Sequence, residues 1–287
     1  MNSKIKILVT GATGNQGGSV VRELQKYDVE IHALTRNPQS KPAKKLLKNN
    51  KNIKLVKADL GKIETLLAIE DHYDYVFFIT DFWAGKEQEI SFGKNLISAM
   101  EKKSCGHFIF SSTPSSVEES VFSFSDSKFQ IEKILKQSKM TYSIIRPGLF
   151  MELFKNIKFA PPVILGMMLK NINHDRKLPF VSLEDIGKVV AKIVLEKENY
   201  INSDFNVITQ YISLKEIRQL HKEVKGRFPV HFALPDFVFK KVVGPELYDL
   251  WNWLNHKESQ YDSRQFLDTI KNTVDFRLFL SQSRLPI

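Results

Sequence analysis

Three glycines, Gly11, Gly14 and Gly17, are spaced three apart in the stretch Thr10-Gly-Ala-Thr-Gly-Asn-Gln-Gly-Gly. Without a Cβ, such positions let the backbone turn sharply and come close to a diphosphate. Thr10, Thr13, Asn15 and Gln16 lie among them and join them as candidates to hold a dinucleotide. Further on, Arg36 occupies the place where an NAD site carries an Asp or Glu for the ribose 2′-hydroxyl, and no carboxylate appears before Asp59. A guanidinium there suits a 2′-phosphate, because its planar fork donates two parallel hydrogen bonds to an oxyanion. Thr35, Asn37 and Lys41 are further donors in reach. The alternatives are a plain strand-to-helix turn and a solvated surface arginine.

The flanking elements decide between these readings. Lys4 to Thr10 alternates and then runs apolar, as a strand buried on both faces does. From about Gln16 the pattern turns helical, with Val20, Val21 and Leu24 on one side. Strand, glycine turn and helix in that order are the context a dinucleotide fingerprint requires, because the helix N-terminus offers unpaired N–H groups to the diphosphate. Further strands are expected at Glu30 to Thr35, Ile53 to Lys57, Tyr75 to Thr80, His107 to Phe110 and Tyr142 to Arg146, with helices between them. That alternation predicts an α/β fold built on a doubly wound parallel sheet. In such sheets ligands bind at the C-terminal strand ends. Those ends here carry Asp59 and Leu60 on the adenine side, and then Thr80, Asp81 and Phe82. Trp83 either borders the site or packs under the next helix.

Later elements are expected to include a helix capped by Ser125 or Asp126 and running to about Gln137. A helix over Ser182 to Glu196 starts with a capping-box pattern, Ser182 with Asp185. A short strand at Phe205 to Ile208 and a capped helix at Ser213 to Lys225 follow. Phe150 to Lys177 reads as an irregular lobe or lid, and Leu234 to Leu280 as mainly helical, anchored by Phe237, Phe239, Trp251 and Trp253.

The chain of 287 residues is 43% hydrophobic, enough for a full core, and carries a net charge of +10. That charge favours acidic partners, of which a phosphate-bearing cofactor is one. The lysines from Lys41 to Lys57 lack interleaved aromatics, which argues for a solvated face and against nucleic acid. Cys105 is the single cysteine, so no disulfide framework and no thiolate metal site is expected. The histidines show no metal-ligand spacing, and His174 sits in a polar turn. The apolar runs are too short to span a bilayer. A cytoplasmic protein, monomer or homodimer, is the expectation.

TGATGNQGGSVV (Thr10 to Val21), LTRNP (Leu34 to Pro38), ITDFW (Ile79 to Trp83), VSLEDIG (Val181 to Gly187) and RPGLFMEL (Arg146 to Leu153) resemble the motifs of the NmrA-like family, an atypical branch of the short-chain dehydrogenase/reductase superfamily. The resemblance implies a Rossmann domain over residues 1–150 and a smaller, mostly helical domain over 151–287, with 181–210 returning to the first and NADP(H) between them. It adds Pro147 and Phe150 to the cofactor residues. Full short-chain dehydrogenases pair a Ser and a Tyr with a Lys four residues after the Tyr. Here Ser111 and Ser112 end the fifth strand and Lys128 follows, but Phe124 stands in the Tyr place and cannot transfer a proton. Lys128 is left with cofactor binding through the nicotinamide ribose, or acid catalysis alone. The family includes redox-sensing regulators, which dock protein partners, and reductases of quinones or conjugated carbonyls. Both remain open, the regulator being preferred.

Overall fold

The computed structural model describes residues 4–48, 52–116, 123–155, 161–243, 250–251, 254–255 and 260–282. The first half alternates strand and helix: β1 (Ile5–Val9), α1 (Asn15–Leu24), β2 (Val29–Thr35), α2 (Lys41–Lys48), β3 (Ile53–Lys57), α3 (Ile63–Leu67), β4 (Tyr75–Phe78), α4 (Lys86–Lys102), β5 (His107–Ser111), α5 (Ser123–Gln137) and β6 (Tyr142–Pro147). After it come β7 (Leu149–Phe150), α6 (Pro161–Asn171), β8 (Lys177–Val181), α7 (Leu183–Leu195), β9 (Ser203–Val207), β10 (Gln210–Ser213) and α8 (Leu214–Lys225). The last helices described are α9 (Asp236–Val243), α10 (Arg264–Thr269) and α11 (Phe276–Gln282).

The chain divides into two compact units, Met1–Arg146 with Ile186–Phe205, and Pro147–Asp185 with Asn206–Ile287. The main sheet is seven-stranded in the order β3-β2-β1-β4-β5-β6-β9. β1 pairs in parallel with β2 and with β4, and the β2–β3, β4–β5 and β5–β6 pairs are parallel too. The chain runs outward from β1 to β3, then recrosses and runs the other way from β4. The gap between β1 and β4 is therefore the topological switch point, where such sheets leave a crevice at their C-terminal edge.

Burial explains why these strands are central. Leu8, Val76, Phe78, Phe108 and Phe110 reach one face, where they join Leu96, Ile97 and Met100 of α4 and Ile131 and Leu135 of α5 in one core cluster. Phe78 stacks on Phe110 at 5.4 Å and meets Phe108 edge-on at 5.9 Å. Ile7, Val9, Ile31, Phe77 and Ile109, equally buried, take the opposite face by the two-residue strand period. Each such side chain contributes about 1.5–3 kcal/mol. α4 and α5 come close at Gly93, where a Cβ would lie 2.6 Å from Ile131.

The second unit holds more sheet than the sequence pattern suggests. β8 pairs with β7 in parallel and with β10 antiparallel. The stretch expected to be irregular contains α6, which places Pro161 and Pro162 in its first turn, where a missing N–H costs nothing. Phe180 and Phe276 meet edge-on at 4.9 Å, and Phe239 stacks on Trp251 at 4.8 Å. Phe237, expected to be an anchor, is 77% exposed, and Trp253 lies outside the described residues. Ser213 and Glu216 form a reciprocal capping box on α8. At α7, Ser182 Oγ accepts from Asp185 N at 3.0 Å, while the Asp185 carboxylate accepts from Thr209 Oγ1 and Val274 N.

Candidate dinucleotide site on the first unit

The β1–α1 turn is built for close approach. Gly11 has φ +60°, which an L side chain adopts with strain, and a Cβ there would lie 2.8 Å from Ile79. Gly14 N donates to Gly11 O at 2.8 Å, closing the turn. A Cβ on Gly17 would lie 2.4 Å from Gly11 O, so only glycine lets α1 start this close to β1. No side chain caps α1, and the first turn of a helix has N–H groups without an intrahelical acceptor. Thr13, Gly14 and Asn15 are exposed beside those groups. Gln16 instead turns inward and donates to Ser111 Oγ at 2.7 Å. Thr10 N donates to Phe77 O, and the Thr10 hydroxyl both accepts from Ile79 N (2.9 Å) and donates to Ile79 O (3.1 Å).

Arg36 follows directly on β2 and is exposed, as is Lys41 at the start of α2. Among the described residues neither side chain has a hydrogen-bond or ion-pair partner. Thr35 and Asn37 are occupied in shaping the turn between them: Asn37 N donates to Thr35 Oγ1 and Gln39 N to Asn37 Oδ1. After β3, Asp59 Oδ1 accepts from Gly61 N at 2.9 Å and Asp59 N donates to Thr65 Oγ1, while Leu60 O accepts from Asn95 Nδ2. This edge is a fixed turn with its carboxylate engaged locally. Asp81 Oδ1 accepts from Trp83 N at the start of a single 3-10 turn, and Trp83 is 53% exposed, so it does not pack beneath the next helix. The Phe82 side chain lies outside the described residues.

Lys128 is held in a buried polar cluster. It is 13% exposed, and its Nζ pairs with Glu89 Oε1 at 2.5 Å and donates to Thr80 Oγ1 at 2.9 Å. Thr80 and Ser127 donate their hydroxyls to the two Glu89 oxygens, and the Glu89 side chain is 1% exposed. The pattern gave no role to Glu89, yet a signal was there. Glu89, Gly93, Leu96, Ile97 and Met100 share the buried stripe of α4, so a carboxylate stands where the helix period demands an apolar residue. Ile90, the apolar residue next to Glu89, is only half-buried. The close contact at Gly93 and Ile131 lies one turn further along both helices and brings the pair together.

The fifth-strand serines are also occupied. Ser112 Oγ bonds Ser116 Oγ at 2.8 Å, and Ser116 donates to Glu132, which is paired with Arg146. Arg146 also binds Asp204 at 2.8 Å. Burial lowers the proton affinity of the Arg146 guanidinium, but Glu132 and Asp204 outweigh it and hold the group above its usual value. α5 begins at Ser123, not at a cap on Ser125 or Asp126: Ser125 donates to Ser115 O and Asp126 pairs with Lys86. Phe124 falls in the first turn of α5, with its side chain outside the described residues. Pro147 closes β6, and Phe150 lies half-buried in β7 of the second unit. His174 bonds Leu169 O at the end of α6. Among the described residues no group of carboxylate, His and Cys side chains could hold a metal ion, and no helix is long and apolar enough to cross a membrane.

The NmrA-like family profile matches residues 3–279. The chain belongs to the NmrA-like family. An NmrA-like family domain-containing oxidoreductase, FrzB of Cladobotryum sp, is 28% identical over 77% of this chain and 74% of its own length. The Citrobacter sp. triphenylmethane reductase complexed with NADP(H) superposes with a TM-score of 0.79 at 19% identity, over 97% of this chain and 99% of that one. NmrA, a negative transcriptional regulator, in complex with NADP gives 0.75 at 17% identity, over 99% and 96%. Structural neighbours of this fold are thus solved with the dinucleotide bound, which supports nicotinamide dinucleotide binding. The residues here fit it: glycines at 11 and 17 whose Cβ would collide with neighbouring atoms, an uncapped helix of ten residues, and at the next strand end a guanidinium without a partner among the described residues.

Proposed function

We propose that the protein binds NADP(H) and reports its redox state to a protein partner, without full short-chain dehydrogenase chemistry. One observation carries the cofactor preference: Arg36, exposed and without a partner among the described residues, stands at the end of β2 where a ribose 2′-phosphate would need a counter-charge. The diphosphate would rest against Gly11, Gly14 and Gly17 and the first N–H groups of α1. The adenine side would meet Asp59 and Leu60, and the nicotinamide side Thr80, Asp81 and Phe82, with Lys128, Pro147 and Phe150 as further binding residues. When bound, the cofactor supplies a hydride donor or acceptor. The chain's own residues bind and orient it, and Phe124 in the tyrosine place supports the absence of ordinary carbonyl–alcohol proton transfer.

A second reading, an NADPH-dependent reductase of quinones or conjugated carbonyls, is favoured by Lys128. Its ammonium has three donors, and Thr80 and Glu89 use two. The third could donate to the oxygen of a small acceptor that gains hydride and then takes a proton. Titration with NADPH, NADP+ and NADH tests the shared part, and equal affinity for NADPH and NADH ends the Arg36 argument. A quinone panel followed at the NADPH absorbance band separates the readings. Turnover with any acceptor favours the reductase. Cofactor binding without turnover, with a partner captured in only one redox state, favours the regulator.

A further inference from the structure

We propose that Glu89 is the positioning residue that sets how the protein discriminates NADP+ from NADPH, by cancelling the charge of Lys128 beside the nicotinamide. The inference rests on the dinucleotide-binding reading and adds to it a residue outside the glycine turn and the strand ends. Topology supplies the first step. With Arg36 after β2 and the glycine turn after β1, the adenosine half of a dinucleotide extends over the β2–β3 side of the crevice. The nicotinamide half then extends the other way, over β4 and β5. Lys128 is on that side, tied to Thr80 just beyond β4.

Electrostatics supplies the second step. The nicotinamide ring carries a positive charge in NADP+ and none in NADPH. A lone ammonium near it, in a site shielded from water, would oppose the oxidised form specifically. Glu89 prevents this. Its carboxylate is 1% exposed, contacts Nζ directly, and is held on both oxygens by the Thr80 and Ser127 hydroxyls. Lys128 therefore presents a directed N–H while the pair contributes little net charge. A carboxylate on the buried stripe of α4 also has an unfavourable desolvation cost that packing alone gives no reason to accept. It makes sense as the counter-charge of a lysine that must stay at the crevice.

The test is the ratio of dissociation constants, Kd for NADP+ over Kd for NADPH, in Glu89→Gln. Glutamine keeps the shape and an acceptor for Nζ but removes the charge. The ratio is expected to rise on the order of tenfold. Adenosine 2′,5′-bisphosphate, which has no nicotinamide, should bind Glu89→Gln as it binds the wild type. The double variant Glu89→Gln with Lys128→Met removes both charges and should return the ratio to within about twofold of wild type. If Glu89→Gln does not fold, Lys128→Met at pH 8 carries the test, and there the ratio should fall, because a carboxylate is left alone near the cation. A purely structural Glu89 would weaken both oxidation states and the bisphosphate together, and that outcome overturns the proposal. So does an unchanged ratio in a folded single variant. If the wild-type protein bound no dinucleotide at all, the dinucleotide reading itself would fail, which is a different result from binding with an unmoved ratio.

Discussion

The two sides of the strand-end crevice are built on opposite plans. On the β2 side, Arg36 and Lys41 are exposed cations without partners among the described residues, held out by a turn that Thr35 and Asn37 stabilise. On the β4 side, Thr80, Glu89, Ser127 and Lys128 are a closed set in which each polar group answers another. The first arrangement gains when an anion arrives, because exposed donors exchange water for phosphate. The second has made most of its pairing on folding, with the third Lys128 N–H left to give. Affinity should therefore be adjustable on the β2 side with little effect on stability. Changes on the β4 side should act on the fold and on selectivity.

The sharpest way to break this contrast is Lys128→Met. Leaving Glu89 buried without its cation should cost about 3–5 kcal/mol of stability, read from urea unfolding. Arg36→Glu should change the same measurement by less than about 0.5 kcal/mol. If the two variants unfold alike, the contrast is wrong.

Acid offers a second lever on the buried side. His107, on β5, bonds Thr141 and Ser143 and is fully buried, and burial, aided weakly by Lys197, pushes its pKa down to about 4. The unfolded chain takes that proton near pH 6.5, whereas the folded one resists until about pH 4. The contribution is thus complete above about pH 6.5 and is lost as pH falls toward 4, for a total of about 3 kcal/mol. Urea unfolding at pH 7 and pH 4.5 should show this slope in the wild type and a shallower one in His107→Gln.

On the open side, Arg36→Glu should weaken NADPH binding about tenfold to a hundredfold, from the loss of charge-assisted bonds worth about 1.5–3 kcal/mol. NADH should be affected less, since a carboxylate can accept from a ribose hydroxyl. Calorimetric titration of both cofactors checks it. The smallest effect concerns Cys105, whose burial pushes its thiol up to about 12. Iodoacetamide at pH 8 should label it negligibly in the folded protein and readily in urea, and Lys128→Met should label at an intermediate rate if that variant opens the first unit.

Much of the first unit was legible because its strands have a strong, simple pattern. Tyr75 to Phe78 is a run of apolar and aromatic residues, buried throughout, and no helix of ordinary amphipathicity reads that way. The second unit was not, because its strands are short and interrupted. β8 has Pro179 in its middle, which argues against a central strand by pattern alone, and β10 has only four residues. α6 was hidden by its paired prolines and by Gly166, whose Cβ would lie 2.2 Å from Phe232 O; a helix–loop contact, not a turn, requires that glycine. At the candidate site, residue types singled out Arg36 and Lys128 as candidates but did not give their state. Whether a cation is free or paired depends on what a distant helix presents, and Glu89 is 39 residues from Lys128 in the chain.

The Thr10 hydroxyl fastens the sheet where backbone pairing between β1 and β4 runs out, by holding both the N–H and the C=O of Ile79. It works as a rivet at the base of a forked joint. The two strands can splay beyond it but cannot slide past one another, so the width of the fork is set before any guest enters. A molecule settling there would meet strands already tied together, which lowers the ordering cost that a looser cleft would carry.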